Sequence, residues 1–214
     1  MIDLKSLATP EVLRKRLLVA AALDLILCPE EWLRYHHYIP QWAPGVTLAK
    51  IDNGAGDHLF ALFTEDGTII KGFDHESALS PHAGDEYEVW PGIYEEVPAS
   101  LLSLLEAEEL EKEEVTFCIW RENQDTVWRT GEVDIPPGED DGSGFLLGTI
   151  FETAEDYADW AEAYFDMPIP IDIVTRFYED SPITEEMVHL LNPERDTEEA
   201  LSELKELGMR IETN

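Results

Sequence analysis

Two apolar runs, Leu59-Phe60-Ala61-Leu62-Phe63 and Thr68-Ile69-Ile70-Lys71-Gly72-Phe73, stand on either side of Glu65-Asp66-Gly67. Runs this short, rich in aromatic and β-branched residues and separated by a glycine-containing turn, suit an antiparallel hairpin and not a helix. An isolated hairpin is marginal in water, so the rest of the chain must supply more strands and a cover. The strand-like pattern starts at Val46 and returns at Val115–Trp120, Thr126–Arg129 and Phe145–Phe151.

Helical spacing flanks these strands. Thr9 and Pro10 are suited to cap and open a helix over residues 10–27, which Pro29 ends before opening a short helix with Trp32 and Leu33. Pro98 opens an expected helix through Leu101, Leu102, Leu104 and Leu105 into the acidic run Glu106–Glu114, read as a solvated face. Thr153 and Asp156 form a capping-box pattern before Tyr157, Trp160, Ala161 and Tyr164. Further helices are expected at 170–179, from Ser181-Pro182 to Leu191, and from Asp196-Thr197 to a stop at Gly208. This order predicts an α+β fold, an antiparallel-rich mixed sheet covered by helices, with a helical C-terminal segment. The expected organisation is an α+β domain over 1–180 and a helical extension over 181–214 packed on the same domain.

Charge narrows the function. The chain of 214 residues has 14 Lys+Arg against 47 Asp+Glu, a formal charge of −33. Residues 1–51 hold six basic and five acidic side chains, and residues 52–214 hold eight and 42, so nearly all the excess lies past the first helix. Such a field repels phosphate backbones and disfavours nucleic acid, while it attracts basic proteins. Cys28 and Cys118 lie 90 positions apart without metal-ligand spacing and read as small buried hydrophobes. Asp24 interrupts the apolar stretch after Arg14-Lys15-Arg16, which argues against a secretory leader, and no run suits a membrane span. A cytoplasmic setting is expected.

Walker, dinucleotide, zincin, nucleophile-elbow and kinase signatures are all missing, and no cofactor is expected. What remains is a concentration of His36, His37, His58, His75 and His82 near Asp52, Asp57, Asp74 and Glu76. Imidazole with carboxylate suits a divalent metal or a general base, which makes His58, His75 and Asp74 an alternative ligand set. If a strand runs on through 74–76, however, Asp74 and Glu76 point away from His75. Asp52-Asn53-Gly54-Ala55-Gly56-Asp57 lacks the alternating ligands and terminal Glu of a calcium loop and reads as a glycine turn feeding the hairpin. Trp120, Trp128 and Trp160 sit in periodic segments and read as core. Trp42, Trp90 and Tyr94 lie in less regular stretches and, with the acidic Asp57, Asp74 and Glu76, make the expected binding set.

The stretch Gly54-Ala55-Gly56-Asp57-His58-Leu59-Phe60-Ala61-Leu62-Phe63, with Thr68-Ile69-Ile70-Lys71-Gly72-Phe73-Asp74-His75-Glu76 after the turn, resembles the SUKH superfamily over about residues 50–77. In that group a glycine-rich turn with Asp enters one strand, and a second strand ends in an Asp-His-Glu-like sequence. The resemblance implies an α+β fold with a mixed sheet and a role as an immunity protein that neutralises a bacterial toxin. The expected function is therefore a non-catalytic protein-binding module with a basic protein partner, such as a toxin domain. The alternative is a metal-dependent hydrolase using the His and Asp residues near 57–76.

Overall fold

The computed structural model describes residues 3–212. Six strands form one sheet in sequence order: β1 (His36–Ala43), β2 (Val46–Asp52), β3 (His58–Phe63), β4 (Gly67–Phe73), β5 (Phe117–Glu122) and β6 (Arg129–Thr130). From β2 to β6 each strand pairs antiparallel with the next, and Ile183 and Ile211 form an isolated parallel bridge. The helices are α1 (Pro10–Leu27), α2 (Ala99–Leu102), α3 (Ser143–Gly148), α4 (Ala154–Phe165), α5 (Ile171–Tyr178), α6 (Glu185–Leu191) and α7 (Thr197–Leu207). This is the α+β fold with a helical C-terminal region that the pattern called for.

The chain packs as two units. One holds Gln41–Thr149 with the chain up to Leu13, and the other holds Arg14–Pro40 and Ile150–Asn214. Position 180/181, expected as the edge of a C-terminal extension, lies inside the second unit.

In the first unit the hairpin register pairs His58 with Phe73 and Phe63 with Thr68, and β4 continues onto β5. Side chains alternate, so Leu48, Leu62, Ile69 and Trp120 form one cross-strand row. That row belongs to a core cluster closed by Leu101, Leu105 and Leu110. Both β3 and β4 are buried along their whole length.

Gly72 is required by its partner strand. A Cβ there would stand 2.1 Å from Cε1 of Phe117, whose ring lies across the glycine. Overpacking of this kind costs about 1–3 kcal/mol, so Gly72→Ala is expected to lower the denaturation midpoint by that equivalent, while Gly144→Ala, inside α3 with open space around it, does not lower it.

Two expectations are corrected in this unit. The helix expected from Pro98 to Glu114 stops after four residues and continues as 3-10 turns at Ser103–Glu106 and Glu108–Leu110, with Glu111 left-handed at φ 46°. Like charges at helical spacing repel along Glu106–Glu114, and the buried Lys71 takes the carbonyls of Leu110 and Glu111. The strand expected at Phe145–Phe151 is helix α3. Gly142 turns the chain at φ 74°, and Asp141 Oδ1 accepts the Ser143 N–H at 3.1 Å, which starts a helix before the apolar run begins.

In the second unit α1 contributes Val19, Leu23 and Ile26 to a core shared with Tyr157, Phe177, Met187 and Leu204. The capping signals hold: Thr153 accepts from Asp156 N, and Asp196 accepts from Glu199 N. Gly208 ends α7 at φ 96°. The Ser181-Pro182 start shifts to Thr184, which caps α6 by accepting from Met187 N. Asn192 closes the other end of α1, donating to the carbonyls of Ile26 and Leu27. Both cysteines are free and buried.

Candidate functional site

Because His58 pairs with Phe73, the loop before β3 and the turn after β4 lie side by side at the open end of the hairpin. Asn53 folds that loop, accepting from the N–H groups of Ala55 and Asp57 while its amide donates to Asp57 Oδ2 at 2.6 Å. Gly54 and Gly56 take φ of 68° and 112°, the left-handed geometry read from their sequence. Asp57, 6% exposed, thereby faces the turn, where Oδ1 accepts the His75 backbone N–H at 2.9 Å and pairs with His75 Nδ1 at 2.6 Å.

This pairing corrects the expectation that strand alternation separates these groups. β4 ends at Phe73, so Asp74, His75 and Glu76 lie on a turn and alternation does not govern them. Ligand-type atoms of Asp57, Asp74 and His75 all fall within 4.8 Å of one another. Glu76 is exposed, with one oxygen 4.0 Å from His75 Nε2. His58 of the alternative metal set does not join them. Its Nε2 faces Lys71 Nζ at 3.2 Å, and an ammonium there opposes a second cation.

Electrostatics follow the geometry. Burial pushes the Asp57 carboxyl up, but the bonds from His75 and Asn53 outweigh it and hold the group below its ordinary range. The same hydrogen bond and charge raise His75. Asp74 is raised, first by burial and then by the neighbouring charges of Asp57 and Asp140. The sign of the linkage is therefore fixed at both ends. The stabilising pair is lost as pH falls through the Asp57 pKa and as pH rises through the raised His75 pKa. In an NMR titration Asp57→Asn is expected to lower the His75 midpoint toward that of a free imidazole; an unchanged midpoint contradicts the pairing.

The aromatic members of the expected set lie elsewhere in the same unit, packed against its core: Trp42, Trp90 and Tyr94. Trp42 Nε1 donates to Glu109 Oε1 at 3.2 Å, Trp90 Nε1 to the Asp134 carbonyl at 3.3 Å, and the Tyr94 hydroxyl to the Lys112 carbonyl at 2.6 Å. They are not in the Asp57–Asp74–His75 cluster. Tyr94 instead forms part of an open groove of about 620 Å³. Its apolar floor is Val89, Leu105 and Ala107, and its rim carries Glu106, Glu108, Glu111, Glu113 and Glu114 with Tyr87 and Lys112.

The groove rim is pinned from inside at Glu111. Lys71 Nζ donates to the carbonyls of Leu110 and Glu111 at 2.8 and 2.6 Å and sits 5.1 Å from the Phe60 ring centroid. Lys71 is completely buried, and burial lowers its pKa to about 7 despite the pull of Glu111 and Glu114. His58 is lowered to about 4, by burial first and then by Lys71, and is a neutral acceptor. At one wall Glu114 accepts from Tyr87 at 2.9 Å and pairs with His82 Nε2 at 3.0 Å; burial and Glu114 push Tyr87 up to about 12.

Of the groove residues the sequence points to Tyr94 alone, because Glu106–Glu114 reads as a plain helix face. The available signal was Lys71, a charge in the middle of an apolar strand. Fold and site together describe an α+β protein whose antiparallel sheet backs an acid-rimmed groove. Comparison with family models, curated proteins and solved structures finds no match. Among the described residues no helix is long and apolar enough to cross a membrane.

Proposed function

We propose that the chain is a non-catalytic protein-binding module that engages a basic protein, in the manner of an immunity factor that neutralises a toxin. The observation carrying this reading is the groove: five glutamates on the rim, aromatic and aliphatic side chains beneath, and backbone held in place by Lys71. Aromatic anchors inside a charged rim are what protein interfaces use, and a field of −33 raises the association rate of a cationic partner. The Asp57–His75 contact then serves as a brace that fixes the end of the hairpin.

Affinity capture from cytoplasmic lysate of the native host, eluted on a salt ramp, tests the reading. One basic protein is expected at an intermediate salt step, and its toxicity in cells is expected to be relieved by co-expression of this chain. Recovery of the bait alone at low salt contradicts it.

A second reading rests on Asp57, Asp74 and His75. Two carboxylates and an imidazole are a donor set for a divalent cation and for hydrolytic chemistry. Titration with Zn²⁺ or Mn²⁺ separates the two: the metal reading expects stoichiometric uptake that is lost in Asp74→Ala, and the binding-module reading expects none.

A further inference from the structure

The acid-rimmed groove already holds one ammonium group. Lys112, itself on the rim, turns its side chain inward so that Nζ pairs with Glu106 Oε1 at 2.5 Å and lies 5.8 Å from the centroid of the Tyr94 ring. A carboxylate on one side and an aromatic face on the other form a lysine-binding arrangement, since the ring quadrupole and the anion both favour a cation. The Tyr94 ring is fixed for this purpose by its hydroxyl bond to the Lys112 carbonyl and by contact with the core. Lys112 is the single Lys or Arg between Phe73 and Trp120, and the single one that lines this groove.

We infer that Lys112 is a built-in occupant of a lysine-side-chain subsite in this groove, and that a lysine of the basic partner takes its place between Tyr94 and Glu106. The inference rests on the binding-module reading above and adds the chemistry of the recognised group. Exchange of one ammonium for another conserves the ion pair and the ring contact, so the resident lysine acts as a competitor that weakens non-matching basic segments. Selectivity then comes from partners that satisfy the remaining rim glutamates at the same time.

The test measures binding of a labelled hexalysine peptide to wild type, Lys112→Met and Lys205→Met at low ionic strength. Lys205 is exposed on α7 and is not a lining residue, so the two variants change net charge equally. Lys112→Met is expected to bind about three- to fivefold tighter than wild type, with Lys205→Met within about twofold of it. Adding Glu106→Gln to Lys112→Met is expected to abolish the gain. Equal tightening in both lysine variants overturns the subsite and leaves the basic-partner reading standing, because net charge alone then explains the effect. Weaker or unchanged binding in Lys112→Met, at an unchanged melting temperature, also overturns it. Failure of every form to bind hexalysine removes both the subsite and the reading on which it rests.

Discussion

Replacing Lys71 with alanine is expected to destabilise the protein by about 3–5 kcal/mol, the sum of a lost buried stem and carbonyl groups left without a donor. Lys71 is among the largest side chains with no exposure, and its three ammonium hydrogens are matched by Leu110 O, Glu111 O and His58 Nε2. Its aliphatic stem stands in the face of β4 that also carries Ile69, above Phe60. Chemical denaturation gives the value directly; a loss below about 1 kcal/mol contradicts the clamp. Linkage adds a second readout. The folded pKa near 7 is below the ordinary 10.5, so between those values the unfolded chain binds a proton that the folded chain lacks. Stability therefore rises with pH across that window, and Lys71→Met is expected to flatten the rise.

An effect of similar size is expected at Asp24, in the other packing unit. Its carboxylate has no exposure and accepts from Tyr35 N at 3.2 Å, His36 N at 2.8 Å, His36 Nδ1 at 3.0 Å and the Tyr157 hydroxyl at 2.7 Å. Burial and the Asp24 charge together raise the Tyr157 phenol well above its ordinary value, so it stays a donor at all working pH. Asp24→Ala strands these donors among the rings of Phe151, Tyr157 and Trp160, at about 3–5 kcal/mol. Asp24→Asn keeps an acceptor toward the backbone and imidazole and is expected to cost about 1–2 kcal/mol. Equal losses for alanine and asparagine in calorimetry contradict the network.

Asp24 shows what sequence alone conveys and what it withholds. It was legible as a charge interrupting an apolar helix, which argued against a secretory leader, but its partners come from positions as distant as Tyr157. The hairpin, the span of α1, the Thr153 and Asp196 caps and the buried Trp120 followed from local pattern, because periodicity and capping act over a few residues. Phe145–Phe151 was misread because periodicity does not separate a short apolar strand from a short helix; Gly142 and Asp141 settle that choice. The acidic run was misread because its backbone is bent by Lys71, which is some forty positions away in the chain. Of the expected site residues, Asp57 and Asp74 do approach each other, through a strand end that alternation could not locate. Tyr94 is part of the groove, and the glutamates around it became visible only through tertiary contact.

The proposed binding of cationic protein segments by the groove, and not by the acidic surface at large, predicts unequal roles for two sets of glutamates. It is tested most directly by titrating labelled hexalysine against two variants of equal net charge. One carries glutamine at Glu106, Glu108, Glu111 and Glu113 on the groove rim, and the other at Glu185, Glu186, Glu198 and Glu206 on α6 and α7. At roughly 0.3–1 kcal/mol for each exposed charge, the groove variant is expected to lose about tenfold or more in affinity and the helix variant to remain within about twofold of wild type. Equal losses in the two variants, or a greater loss in the helix variant, contradict the account.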